Sequence, residues 1–123
     1  MTKKVLDVGN CGPDFHAIQS FVQREFDAEV LQADGAEDAI QILRREAIDL
    51  ILVNRKLDRD YSDGLEVIRQ IKADDALAAI PAMLITNYEE HQQLAISAGA
   101  VQGFGKLALG KPDTINRLKS YLE

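Results

Sequence analysis

The chain predicts an α/β domain built around a five-stranded parallel sheet, and three observations carry that prediction. Short apolar runs alternate with segments of helical periodicity along its whole length, the signature of repeated βα units. The run Leu50-Ile51-Leu52-Val53 is apolar at every position, as expected of a strand with helices on both faces. Turn and stop residues, among them Gly9, Gly64 and Gly99, fall at the junctions.

The first strand is predicted over Lys4 to Val8, and the turn Gly9-Asn10-Cys11-Gly12-Pro13 leads to Asp14, read as a helix N-cap. Phe15, Ile18, Val22 and Phe26 then recur at helical spacing and mark the face that packs on the sheet. A short strand over Glu29 to Gln32 precedes a helix over Ala36 to Glu46, with Ala39, Ile40 and Leu43 inward. The third strand, Leu50 to Val53, opens at Asn54 into the charged loop Arg55 to Gly64. A helix over Leu65 to Ala73 buries Leu65, Ile68 and Ile71. Pro81, tolerated at the start of a strand, introduces the fourth over Ala82 to Thr86. The next helix runs from Glu89 to Ala98 and stops at Gly99, where a left-handed residue is expected. A fifth strand lies within Val101 to Gly105, and Pro112 and Asp113 begin a last helix with Ile115, Leu118 and Leu122 on one face.

Composition bounds the function. The 123 residues suffice for one domain with a core and are too few for two, so residues 1–123 read as a single domain. Fourteen Lys and Arg against twenty Asp and Glu leave a net charge of −6, which argues against binding nucleic acid or an anionic membrane surface. No apolar run approaches the ~20 residues of a spanning helix, and the segment from Met1 lacks a signal-peptide core. The single Cys11 excludes an internal disulfide and fits a reducing cytosol, so a cytoplasmic location is expected.

The segments Asp63-Gly64-Leu65-Glu66-Val67-Ile68, Ile80-Pro81, Leu84-Ile85-Thr86 and Ala98-Gly99-Ala100, set in five βα units, resemble the receiver domains of bacterial two-component response regulators. The resemblance covers essentially the whole chain. It implies a flavodoxin-like, doubly wound sheet of order 2-1-3-4-5 with five helices, and ligands bound beyond the strand ends. It also implies two acidic residues after strand one for Mg²⁺, a phosphoacceptor Asp after strand three, Ser or Thr after strand four and Lys after strand five. Here those positions hold Gly9 and Asn10, Asn54, Thr86 and Lys106.

Three of the five depart from the pattern in the same direction. Mg²⁺ is held by one or two carboxylates plus water, whereas Gly9 offers no ligand and Asn10 only a neutral carbonyl. The Asn54 amide nitrogen is delocalised and cannot form an acyl phosphate. A degenerate receiver that binds no cofactor or metal and is no enzyme is therefore expected, with Thr86 and Lys106 as inherited framework and Lys106 bonded to Asn54, Asn10 or backbone carbonyls. Position 103, where the family's switch aromatic would fall, is glycine beside Phe104, and the proline expected after Lys106 is Leu107.

The family signals by presenting its fourth helix, fifth strand and fifth helix to a protein partner. In this chain that face would include Tyr88, Glu89, His91, Gln92, Gln102, Phe104, Lys111, Arg117 and Tyr121, in a monomer or weak homodimer. His91 is expected to be a solvated surface residue.

Other readings carry less. Asp7 lies about 6.6 Å back along its strand from Gly9, down in the sheet, where an acid paired locally or solvated is expected. Asp58, Asp60 and Asp63 lack the glycine and distal glutamate of an EF-hand loop and read as a solvated charged loop. Cys11 lies at a helix start, but a phosphatase-type loop would need Arg six residues on, at Ala17. Gly9 to Gly12 could offer backbone N–H groups to a nucleotide or other small ligand, yet there is no G-x-G-x-x-G and no P-loop lysine. The remaining alternative is a receiver phosphorylated at a non-standard site.

Overall fold

A computed structural model describes residues 2–123; Met1, at the head of the segment read above for a signal peptide, lies outside them. Strands β1 (Lys3–Val8), β2 (Ala28–Ala33), β3 (Leu50–Asn54), β4 (Ala82–Ile85) and β5 (Val101–Phe104) alternate with helices α1 (Gly12–Glu25), α2 (Ala36–Arg45), α3 (Gly64–Ala73), α4 (Glu89–Ser97) and α5 (Pro112–Leu122). All strand pairs are parallel and the order is β2-β1-β3-β4-β5, so the predicted topology is the observed one. The chain reverses direction of winding at β1, which places the C-terminal ends of β1 and β3 side by side at a switch point.

Strand alternation divides the core into two layers. Leu6, Val8, Ile51, Val53 and Leu84 face α2, α3 and α4, where they meet Ala39, Leu43, Leu65, Ile68 and Ala95. Val5, Leu50, Leu52, Met83 and Ile85 face α1 and α5, against Phe15, Ile18, Phe21 and Leu118. Full burial of a side chain of this size stabilises by ~1.5–3 kcal/mol, which is why β3 carries no polar residue before Asn54.

Local chemistry moves several predicted details. Helix α1 begins at Gly12, ahead of Asp14: Pro13 is preset for the first turn and needs no N–H partner, so Asp14 lies inside the helix and caps nothing. In α2 the buried stripe is Ala36, Ala39, Ile42 and Leu43, at i, i+3, i+6 and i+7, which leaves Ile40 only partly buried at its edge. Gly99 ends α4 at φ +105°, as its predicted role requires. A single 3₁₀ turn, Lys106–Ala108, links β5 to α5 and has no counterpart in the sequence reading.

Candidate functional site: the C-terminal ends of the strands

The resemblance placed five residues at one end of the sheet, and the fold brings them there on separate elements. Gly9 follows β1 with φ +84°, a conformation that favours glycine. A side chain there would also collide with the long loop, because a Cβ would lie 2.3 Å from Leu57 Cδ2. Leu57 is buried, and the Asp58 N–H donates to the Gly9 carbonyl at 2.8 Å, so the loop is clamped over the end of β1. The Gly9 N–H is committed to Ala33 O at 2.9 Å and is not free for a phosphate, which weakens the nucleotide-loop reading.

Asn10 turns back into the protein. It is almost fully buried, and its Nδ2 donates to Asp7 Oδ1 at 2.6 Å. Asp7 is fully buried in β1, so it is paired locally, as one of the two expectations had it, and is not solvated. The second oxygen, Asp7 Oδ2, and the Asn10 Oδ1 have no hydrogen-bond partner among the described residues. Burial pushes the Asp7 carboxyl up to about 6, against the opposing pull of the Asn10 hydrogen bond and the Lys106 charge.

Asn54 uses its amide as a donor. Nδ2 bonds the Lys56 carbonyl at 2.7 Å and lies 3.5 Å from the Gly9 carbonyl, so the residue braces the start of the loop. A carboxylate in the same rotamer would set oxygen against two carbonyl oxygens. Behind it, Gly64 has no room for a side chain: a Cβ would stand 1.9 Å from Asn54 O.

Lys106 does not bond Asn54, Asn10 or a backbone carbonyl as expected. Its Nζ donates to Asp14 Oδ2 at 2.7 Å, tying the end of β5 to α1 and holding the Asp14 carboxyl below its ordinary range. Thr86 is buried; its Oγ1 accepts from the Tyr88 N–H at 3.3 Å and lies 3.2 Å from His91 Nδ1. His91 is therefore half-buried against Thr86 and Tyr88, not solvated as predicted. A cavity of about 320 Å³ opens between these strand ends, lined by Arg55, Lys56, His91 and Lys106 and by no carboxylate.

This donor set does not fit Mg²⁺, which needs a near-octahedral shell of oxygens. Gly9 has no side-chain oxygen and its carbonyl accepts from Asp58 N–H, Asn10 is turned inward, and Asn54 presents N–H to its neighbours. Among the described residues, no three His, Cys, Asp or Glu side chains converge anywhere on a possible ion position. In the long loop Asp60 accepts from Ser62 N and Oγ at 3.0 and 2.6 Å, while Asp63 accepts from Leu65 N at 2.9 Å and caps α3. Those carboxylates organise the turn, whose tip, Tyr61, sits at φ +58° and is 76% exposed. Cys11, half-buried at the N-cap of α1, offers no side-chain cap bond.

The predicted interaction face is only partly a surface. Tyr88, Glu89 and Lys111 are exposed, and Gln102, Arg117 and Tyr121 are half-buried. Phe104 is a core residue packed with the α1 and α5 layer, because its alternation in β5 turns it inward. Gln92 is 3% exposed and bonded across β4 and β5. Leu94, Ile96 and Leu107 are exposed apolar residues that the sequence reading did not select. For Leu94 and Ile96 the available signal was their position off the Gln92–Ala95 stripe of α4.

Known proteins agree with this architecture. The response regulator receiver domain model matches residues 15–123, a span that starts after β1 and its turn. The polar-differentiation response regulator DivK of Brucella anthropi is 28% identical over 95 residues, 76% of each chain. The signal receiver domain of a DNA-binding response regulator from Colwellia psychrerythraea superimposes with a TM-score of 0.79 at 21% identity, over 96% of both chains. A CheY-like receiver protein from Methanospirillum hungatei gives 0.78 at 20% identity, over 98% of this chain and 93% of its own. No described helix is long and apolar enough to cross a membrane. With the order 2-1-3-4-5 and the family match over most of its length, this chain belongs to the response regulator receiver domains of two-component signalling.

Proposed function

We propose that this receiver acts as a protein-interaction module that does not depend on Mg²⁺-assisted phosphorylation at Asn54, and that it has no catalysis of its own. One observation carries the reading. Each position that would supply negative charge is neutral and already employed: Gly9 packs under Leu57, Asn10 holds Asp7, and Asn54 braces Lys56. Repulsion between clustered carboxylates, which a divalent cation would relieve, is missing from such a site. Lys106, paired with Asp14, has no acyl phosphate to bind.

Signalling then falls to a surface, and the α4–β5–α5 face, with Tyr88, Lys111, Arg117 and Tyr121, is the one we assign to a protein partner. The test is incubation with acetyl phosphate and Mg²⁺ followed by intact mass measurement. The unmodified mass is expected. A stable phosphoryl adduct would overturn the reading, and mapping it would identify the non-standard acceptor.

A further inference from the structure

Gly103 stands at an irregularity of the β4–β5 ladder. Met83 pairs with Val101 and Ile85 with Phe104, so the register shifts between them and β5 carries an extra residue. A bulge of this kind leaves peptide groups without ladder partners, and buried ones must be satisfied elsewhere. At Gly103, which is buried, both are satisfied by side chains from two different helices. Its N–H donates to Gln92 Oε1 of α4 at 2.9 Å, and its carbonyl accepts from Arg117 Nη1 of α5 at 2.9 Å.

The other end of the Gln92 amide is used as well. Nε2 donates to Leu84 O at 2.9 Å and reaches Thr86 O at 3.3 Å, so one side chain spans β4 and β5. Only glycine leaves room for this arrangement, since a Cβ at position 103 would lie 2.3 Å from Leu84 O and 3.2 Å from Gln92 Oε1. A surface glutamine would not be expected to sink this far; Gln93, its neighbour, stays exposed and bonds Glu89 at 2.8 Å.

We propose that Gln92 and Arg117 form a polar staple on the Gly103 peptide that holds α4, β5 and α5 in one arrangement, so that their shared face is presented constantly and is not switched. A switch needs two arrangements of comparable free energy. Moving α4 away here would strip the acceptor from Gly103 N–H and the donor from the Leu84 and Thr86 carbonyls together, breaking three buried hydrogen bonds at once. Gln92 and Arg117 are thus positioning residues for the face. The inference deepens the function proposed above and rests on its choice of face.

The test uses the whole chain, with residue-resolved amide exchange and ¹⁵N relaxation dispersion on wild type, Gln92→Met, Arg117→Met and the control Gln93→Ala. Wild type and the control are expected to show no microsecond–millisecond exchange in α4, β5 or α5. In Gln92→Met the Gly103 amide should exchange about tenfold faster or more, with dispersion appearing in α4 and β5 while α1 to α3 keep their protection. Arg117→Met should produce the same pattern centred on β5 and α5. Uniform acceleration across all elements, unchanged protection of Gly103, or dispersion already present in wild type would each overturn the staple. Gln92→Met preserves length and volume, and Arg117→Met lies on a separate helix, so each reports if the other fails to fold. A phosphoryl adduct in the mass experiment would sink the function proposed above without altering the exchange pattern, so the two failures are distinguishable.

Discussion

The ammonium of Lys106 is bonded to Asp14 on α1, Nζ to Oδ2 at 2.7 Å, and the two side chains join elements 92 residues apart in sequence. Both are more than a third exposed, so the pair contributes little despite its reach. We predict that Lys106→Met costs less than about 1 kcal/mol in urea unfolding. A larger loss would mean that the lysine has a structural task beyond Asp14.

Asp7 should make stability fall as pH rises. Its folded value, about 6, lies above the ordinary 3.8, so the folded chain binds the proton more tightly than the unfolded chain does. The benefit of the protonated form is complete below 3.8 and disappears as pH climbs through about 6. The difference between 3.8 and about 6 corresponds to about 3 kcal/mol as an upper figure. Asp7→Asn should therefore stabilise the protein by ~1–3 kcal/mol at pH 7.5 and flatten its stability between pH 4 and 7. Denaturant melts of both forms across that range are the check, and a destabilised Asp7→Asn would contradict it.

Restoring one carboxylate should not restore phosphorylation. In the observed rotamer Asn54→Asp would face the carbonyls of Lys56 and Gly9, with no second acid at Gly9 or Asn10 to hold Mg²⁺. We expect no phosphoryl adduct from acetyl phosphate and Mg²⁺ in this single variant. Efficient Mg²⁺-dependent labelling would show that the neighbouring acids are dispensable.

Adding the acid at position 9 meets a backbone obstacle. Gly9→Asp must adopt φ near +84° and displace Leu57, so we expect a loss of about 1–3 kcal/mol. Leu57→Ala should cost a comparable ~2–4 kcal/mol by leaving a cavity under the loop. Thermal melts of both variants give the comparison; a neutral Gly9→Asp would mean that Leu57 swings aside and the backbone relaxes.

Gly64→Ala should cost about 2–3 kcal/mol, because the clash is with the main-chain oxygen of Asn54 and no flexible side chain can yield. Urea unfolding measures it. A cost below about 0.5 kcal/mol would show that the β3–α3 junction is pliable.

The fold was legible because burial imposes periodicity. Runs such as Leu50 to Val53 and stripes such as Leu65, Ile68 and Ile71 are local patterns, and each corresponds to a buried face. The neutral character of Gly9, Asn10 and Asn54 was equally plain, since residue type is all it requires. Less legible were the residues whose behaviour depends on distant partners. Gln92 and Phe104 look like surface candidates beside Tyr88 and Lys111, yet one fills a break in a ladder and the other completes a core layer.

By itself, then, the sequence determined the element order, the family frame and the absence of carboxylates where the family would hold a cation. Tertiary structure alone decided what the substituted residues do instead: Asn10 turns to a buried Asp7, Lys106 crosses to Asp14, and Gly103 receives side chains from two helices. Apolar burial is written in local periodicity because every helix and strand must show one face to the core. A hydrogen bond depends on the direction and distance of a partner far along the chain, and only the packed sheet and helices set those.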